Sequence, residues 1–380
     1  MAYGRKQLKR GKIFSSGGYV NYQIAFLVFV LLAFGVMMVY SASSYRAAIS
    51  GLPDSYFAKR QGMIGLAGLV IMWFLSHFNY QNYRKPFMHL LILCGMIGCS
   101  GIALIIGISS HGAKRWVSIA GVQVQPSEMV KLFLILYLSH VCVKHASYLH
   151  NPVGIIKLIW PCLLSILLIA KENLSTAIVC AGIMVVILLI VTPDVKPILL
   201  GMLLLAGVAA LFTFGVGYRV NRIEAWLSPE TSEYGYQTMQ SLYAIGSGGL
   251  FGKGLGQSIQ KLGFLPESHN DMIFAIVCEE LGIFGALGII ALFLILILQL
   301  RYVANHARDR FGALIVIGVM THIAVQMLVN IGVVTNVIPN TGVTLPFISY
   351  GGSSLLFLLA EMGFVMNVSR QMIPYEEEPS

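Results

Sequence analysis

Apolar runs long enough to cross a bilayer recur between residues 22 and 368, and they leave this chain very few folds. Backbone in hydrocarbon must satisfy its own N–H and C=O groups, which limits spanning segments to helices or closed barrels. A helix needs roughly 20 apolar residues to span a core of about 30 Å. The sequence predicts ten such helices, at 22–40, 61–76, 87–108, 127–143, 154–170, 174–191, 198–216, 272–300, 311–333 and 353–368. Only 11% of residues are charged and 57% are hydrophobic, whereas a soluble domain carries about 25% charged residues. The expected fold is all-α: one polytopic membrane domain over 19–370, with no length left for a separate soluble domain.

Ten spans put both ends on one side, and Lys and Arg decide which. An N-terminus-inside arrangement places 14 Lys and Arg on the cytoplasmic side against ten opposite, and four of those ten lie in the long loop at 218–271. Long loops weigh little in the positive-inside rule, so the basic stretch 1–18 and the acidic tail 371–380 are expected in the cytoplasm. The loop between the seventh and eighth helices is then extracytoplasmic. The basic start and Ser41-Ala42-Ser43 also resemble a secretory signal. The first apolar run exceeds a signal's 7–15 residues, however, which favours a retained helix. The eighth helix, from Met272, is long: about 29 residues reach roughly 43 Å, so its first turns with Glu279 and Glu280 are expected in the headgroup region.

The long loop is the candidate site. It carries Gln237, Gln240, Lys253, Lys261, Glu267, His269 and Asp271 among aromatics and aliphatics, and such loops are functional or disordered. Few charges and many apolar residues argue against disorder. Its glycines (Gly246, Gly248, Gly249, Gly252, Gly254 and Gly256) do not form a phosphate loop. Lys253 is followed by Gly254 rather than Ser or Thr, and no strand precedes the run. Close backbone approach or a loop bordering a substrate remains. Neither HExxH nor GxSxG occurs, which leaves zinc and serine hydrolases without support. The six cysteines lie in apolar stretches without a CxxC pair and read as buried small residues. A net charge of +9 is spread along membrane-flanking segments, a pattern of orientation rather than nucleic-acid binding.

Ionisable residues within spans are costly and therefore functional candidates. Glu128 and Lys131 share one face of the fourth helix, either as a self-neutralising pair or as ligand-facing groups. Trp116, beside Lys114 and Arg115, reads equally as an interfacial anchor or a site residue. His322, Gln326 and Asn330 recur at helical spacing and suit interhelical hydrogen bonds, with Glu361 in the tenth helix. Asp271 has two readings. Ser268-His269-Asn270-Asp271 opens a helix, so a capping box competes on equal terms with a catalytic role. Ser353 likewise reads as an N-cap or as part of an anion-binding helix start.

Three long stretches, GAKRWVSIAGVQVQPSEMVK, GYQTMQS through GSGGLFGKGLG to LPESHNDMIFAIVCEELG, and PNTGVTLPFISYGGSS, resemble the SEDS family typified by FtsW, RodA and SpoVE. MVYSAS and KENLST lean to the FtsW/SpoVE branch. Where many relatives carry an Asp in a PDLGT motif, this chain has Asn173 beside Glu172. The resemblance implies a peptidoglycan polymerase of cell division or wall synthesis in the bacterial cytoplasmic membrane. It would join lipid II units on the extracytoplasmic face. The implied partners are lipid II, undecaprenyl-linked glycan, a class B penicillin-binding transpeptidase and other divisome or elongasome proteins. The family's catalytic Asp matches Asp271, and Trp116, Glu128 and Lys131 match other implicated positions.

Chemistry gives these residues roles. A lipid-linked sugar pyrophosphate already carries a leaving group, so the missing element is a base for the acceptor hydroxyl. One carboxylate with inversion meets that need, whereas a retaining enzyme needs two at about 5–5.5 Å. Lys131, Arg222 or Lys253, or a divalent cation such as Mg2+ or Mn2+, would stabilise the departing pyrophosphate. No tightly bound cofactor is expected. Gln237, Gln240, Lys261, Glu267, His269 and Ser353 complete the candidate substrate-binding set. A lipid flippase, or a non-catalytic scaffold for the transpeptidase, would use the same spans.

Overall fold

The computed structural model describes residues 21–110, 113–119, 122–214 and 217–372. The basic stretch 1–18 and residues 373–380 of the acidic tail lie outside them. Twelve α-helices are described in these segments: α1 (Tyr22–Ile49), α2 (Tyr56–His77), α3 (Pro86–Ile106), α4 (Pro126–Lys144), α5 (Pro152–Glu172), α6 (Leu174–Val191), α7 (Lys196–Phe214), α8 (Gly217–Leu227), α9 (Tyr236–Gly248), α10 (Ile273–Asn305), α11 (Arg310–Val334) and α12 (Gly352–Ser369). Among the described residues, eight helices are long and apolar enough to cross a membrane: α1, α3, α4, α5, α6, α10, α11 and α12. The two other expected spans fall on α2 and α7. The first turns of α2 hold Lys59, Arg60 and Gln61, and the apolar part of α7, Lys196–Leu211, is short.

Asparagine ends and starts helices here. Asn173 is the single residue between α5 and α6, and its Oδ1 accepts from the Thr176 N–H at 3.2 Å. Asn and Asp cap helices about equally well, which gives the Asn at this position a physical role of its own. At one end of the bundle, the Tyr80 hydroxyl donates to Asp309 (2.9 Å) and the Tyr80 N–H to Asn367 (3.0 Å), tying the α2–α3 and α10–α11 connections to α12.

The opposite end holds what the helical reading does not anticipate. Between α3 and α4 runs a small antiparallel meander, β1 (Ile108–Ser110), β2 (Ala113–Ile119) and β3 (Val122–Val124), ordered β1-β2-β3. The long loop is helical in part, as α8 and α9. The helix after it is not one straight span either. At Gly282 the backbone turns to φ 66° and ψ −166°, which divides α10 into a buried first section up to Leu281 and a long second section.

This break explains the glycines. In an uninterrupted helix the N–H groups of Ile283 and Phe284 would reach the carbonyls of Glu279 and Glu280. They donate instead to Gly249 O (3.0 Å) and Leu250 O (3.2 Å), while the Lys253 and Gly254 N–H groups donate to Glu279 O (2.9 Å) and Glu280 O (3.0 Å). The Gly-rich loop is thus spliced into the helix ladder, satisfying groups that burial would otherwise leave orphaned. Such approach admits no side chain. A Cβ on Gly252 would stand 2.2 Å from Glu280 O, and one on Gly248 2.0 Å from Cys278 O.

Candidate active site

Asp271 stands two residues before α10, in the turn that follows the spliced loop. Glu267, at φ 54°, accepts the Asn270 and Met272 N–H groups through its carbonyl (3.0 and 3.3 Å) and so shapes that turn. From α11, the fully buried Asn330 donates its amide to Asp271 O and to Val343 O, each at 2.7 Å. The capping reading is not realised: α10 starts without a side-chain cap, and Ser268 Oγ donates to Ala42 O at 3.2 Å. The Asp271 carboxylate is therefore free for other work. Among the described residues its Oδ1 has no hydrogen-bond partner, and Oδ2 lies 3.4 Å from where a Cβ on Gly342 would sit. Gly342 has φ 60°.

Burial, then the nearby negative charge of Glu267, pushes the Asp271 carboxyl up to about 7, against the opposing pull of Arg222 and of the Asp271 and Met272 N–H groups. A base poised near neutrality is suited to taking a proton from a hydroxyl. His269, two residues earlier, is pushed down to about 4, chiefly by burial, and stays neutral. Its ring lies 5.1 Å from that of Phe57 and 5.7 Å from that of Tyr350, and its carbonyl accepts the Tyr350 N–H. His269 is thus packed between these rings, with its Nδ1 buried and without a hydrogen-bond partner among the described residues.

One loop, 335–351, gathers most of the remaining candidates. Arg222 of α8 donates to Asn340 O (3.2 Å), the Asn340 amide donates to Gln237 Oε1 of α9 (2.8 Å), and Ser175 of α6 donates to Thr341 O. Gln240 lies one turn after Gln237 on α9. Further along, Thr344 accepts from Gln326, which brings in the intramembrane pair. Lys131 lies 2.8 Å from Glu128, both buried, and donates to Gln326 Oε1 at 3.3 Å. Gln326 Oε1 also lies 2.7 Å from His322 Nε2, and His322 Nδ1 lies 2.7 Å from Glu361. Ser353 caps nothing: its Oγ accepts the Gln125 N–H (3.2 Å) where β3 enters α4. The same meander holds the half-buried Trp116 opposite Ile108.

Lys253 and Lys261 stand apart from Asp271. Lys253 binds the buried Glu279 at 2.7 Å, and Lys261 binds the buried Glu280 at 3.0 Å. Glu279 also accepts from Ser258 Oγ and the Ile259 and Gln260 N–H groups, and Glu280 from Ser41 Oγ. These two carboxylates lie in the first turns of α10. They are fully buried in the protein and clasp the loop.

Sequence reading alone does not single out Asn340, Gly342 or Thr344. Their signals are the turn composition of Pro339-Asn340-Thr341-Gly342 and their place in the stretch PNTGVTLPFISYGGSS. No group of three or more His, Cys, Asp or Glu that could hold a metal occurs among the described residues.

The chain is 36% identical over 354 residues to stage V sporulation protein E of Bacillus subtilis (strain 168), covering 91% of this chain and 96% of that protein. It is 38% identical over 359 residues to the probable peptidoglycan glycosyltransferase FtsW of Geobacter metallireducens, covering 92% and 94%. The fold matches the crystal structure of Thermus thermophilus rod shape determining protein RodA with a TM-score of 0.67 at 24% identity, over 93% of this chain and 97% of that one. A chain of a peptidoglycan synthase complex that coordinates polymerization and crosslinking matches with a TM-score of 0.74 at 23% identity, over 92% and 98%. The sequence model of the FtsW, RodA and SpoVE cell cycle proteins covers residues 22–373, and the chain belongs to that family.

Proposed function

We propose that this protein polymerises lipid II disaccharide units into glycan strands, releasing undecaprenyl pyrophosphate, with Asp271 as general base. One observation carries the reading: a carboxylate released from capping, pushed up to about 7 and with one oxygen that has no partner among the described residues, at the end of an apolar bundle. Relatives 37% and 38% identical, matched over more than nine-tenths of this chain, are named probable peptidoglycan glycosyltransferases.

The acceptor sugar's 4-hydroxyl gives its proton to Asp271 as its oxygen forms a bond to the donor's anomeric carbon. The bond to pyrophosphate breaks on the opposite side, with inversion. Arg222, whose charge already acts on Asp271, and Lys131 supply positive charge for the leaving group. Mg2+ keeps several waters and takes only one or two carboxylates plus phosphate oxygens, so a divalent cation would travel with the substrate pyrophosphate. An apolar cavity of about 290 Å³ between α5, α6 and α7, lined by Leu174, Ala177, Ile178, Met202 and Leu205, suits a lipid tail. One of its lining residues, Leu174, is the chain neighbour of Ser175, which donates to the loop beside Asp271.

The positive-inside count supports cytoplasmic termini and an Asp271 end facing outward from the bacterial cytoplasmic membrane. A new strand needs crosslinking, which supports a class B transpeptidase as partner. Purified lipid II incubated with the full-length protein tests the function. Polymer is expected from the parent and ~10²–10⁴-fold less from Asp271→Asn, and an equally active variant would remove Asp271 from the chemistry.

A further inference from the structure

His322, Gln326 and Asn330 lie four residues apart along α11 and form one buried polar stripe. Interhelical hydrogen bonding is the ordinary use of such groups, but these amides do more than join helices. The Asn330 amide spends both donors on backbone carbonyls, one of Asp271 and one of Val343. The Gln326 amide donates to Thr344 O (2.9 Å) and Thr344 Oγ1 (3.2 Å), while its oxygen takes Lys131 and His322. One helix face thus grips the residue that carries the base, the loop opposite that base, and the intramembrane cation.

We infer that Gln326 and Asn330 are positioning residues for the glycosyl transfer, fixing the Asp271 carboxylate against the loop at Gly342 and against the Lys131 ammonium. This rests on the function proposed above. The physical basis is rigidity. A turn and a loop are poor supports by themselves, and a side-chain amide with both donors engaged holds two of them at a fixed separation. Neither amide reaches the Asp271 carboxylate itself, so neither is catalytic.

The test uses the purified full-length protein with lipid II, measuring kcat and KM separately, with elution profile and melting temperature as controls for folding. Asn330→Leu is similar in size and apolar, but donates nothing. It is expected to lower kcat by ~100-fold, the loss that a displacement of about 1 Å produces, with KM changed by no more than about twofold. Gln326→Met is expected to lower kcat by ~10-fold, and Gln326→Glu, which restores the acceptor for Lys131 and His322, to recover part of that loss. The Gln326 series decides the matter should Asn330→Leu fail to fold. A kcat within about twofold of the parent in the folded variants, or a loss confined to KM, overturns the inference. A parent chain that makes no polymer overturns the function instead.

Discussion

Three carboxylates lie within ten residues of each other, and they could hardly differ more. Glu279 and Glu280 are fully enclosed, yet lysines, serine hydroxyls and backbone N–H groups surround them. Asp271 is only half-buried, and among the described residues its Oδ1 has no hydrogen-bond partner and no lysine is paired with it. Glu280 Oε2 has no partner among them either, but the other Glu280 oxygen takes the Lys261 ammonium and the Ser41 hydroxyl. Burial does not mark the reactive group. What distinguishes the two regions is how far the protein has already answered the charge: the clasp spends its carboxylates on holding a loop, and Asp271 is left with basicity to use.

The sharpest way to break that comparison is to neutralise each region in turn. Asp271→Asn is expected to cost ~10²–10⁴-fold in polymerisation, the contribution of a general base, while the melting temperature holds or rises. The rise follows from sign. A carboxyl raised from 3.8 to about 7 on folding binds more protons folded than unfolded. Its ionisation therefore costs stability, progressively, as pH climbs through that window, and the amide removes the cost. Glu280→Gln should do the reverse. It leaves the Lys261 ammonium buried without its counter-charge, a change worth ~3–5 kcal/mol of stability, read as a lowered melting temperature in detergent. Activity should fall only with the folded fraction. Polymerisation lost from Glu280→Gln at full stability would erase the distinction.

Gly252→Ala probes the clasp through its backbone. The new Cβ would meet Glu280 O at 2.2 Å, and the glycine sits at φ 79°. Strain and overpacking together are expected to cost ~1–3 kcal/mol, again measured as melting temperature. Gly246→Ala is the control, since nothing lies within 4 Å of its Cβ. Equal stability in both variants would mean that the loop is not spliced into α10 as described.

These two regions were unequally legible from the residues. Spans such as α1 and α6 follow from apolar run length alone. Three kinds of feature escape that signal. The strands of the meander are only three to seven residues long, and run length says nothing about them. The break at Gly282 sits inside an apolar run, where a glycine is common, and only the rerouted hydrogen bonds identify it. Lys253 and Lys261 read as substrate ligands because their partners stand 26 and 19 residues away, outside any helical period. Asp271 was ambiguous for a different reason. Ser-x-x-Asp before a helix is the same four letters whether it caps or reacts, and only the start of α10 at Ile273 separates the two.

The smallest expected effect is the most specific. Two causes raise Asp271, burial first and the charge of Glu267 second, and Glu267→Gln removes only the second. The base must be ionised to act, so kcat/KM for lipid II should rise with pH through about 7 in the parent. In Glu267→Gln this limb should move toward lower pH, though not as far as the range of an exposed Asp, because burial persists. Stability should change little. The ion pair lost with Arg46 is long, 3.7 Å, and well exposed, the kind worth about 0–1 kcal/mol. Two results would refute the account. A limb that stays in place would mean that Glu267 is screened from Asp271. A limb that moves upward would mean that Glu267 had been holding a cation near the base rather than opposing its ionisation. Because the substitution leaves Asp271, Asn330 and Gly342 in place, a shifted limb at undiminished maximal rate separates the tuning of the base from its positioning.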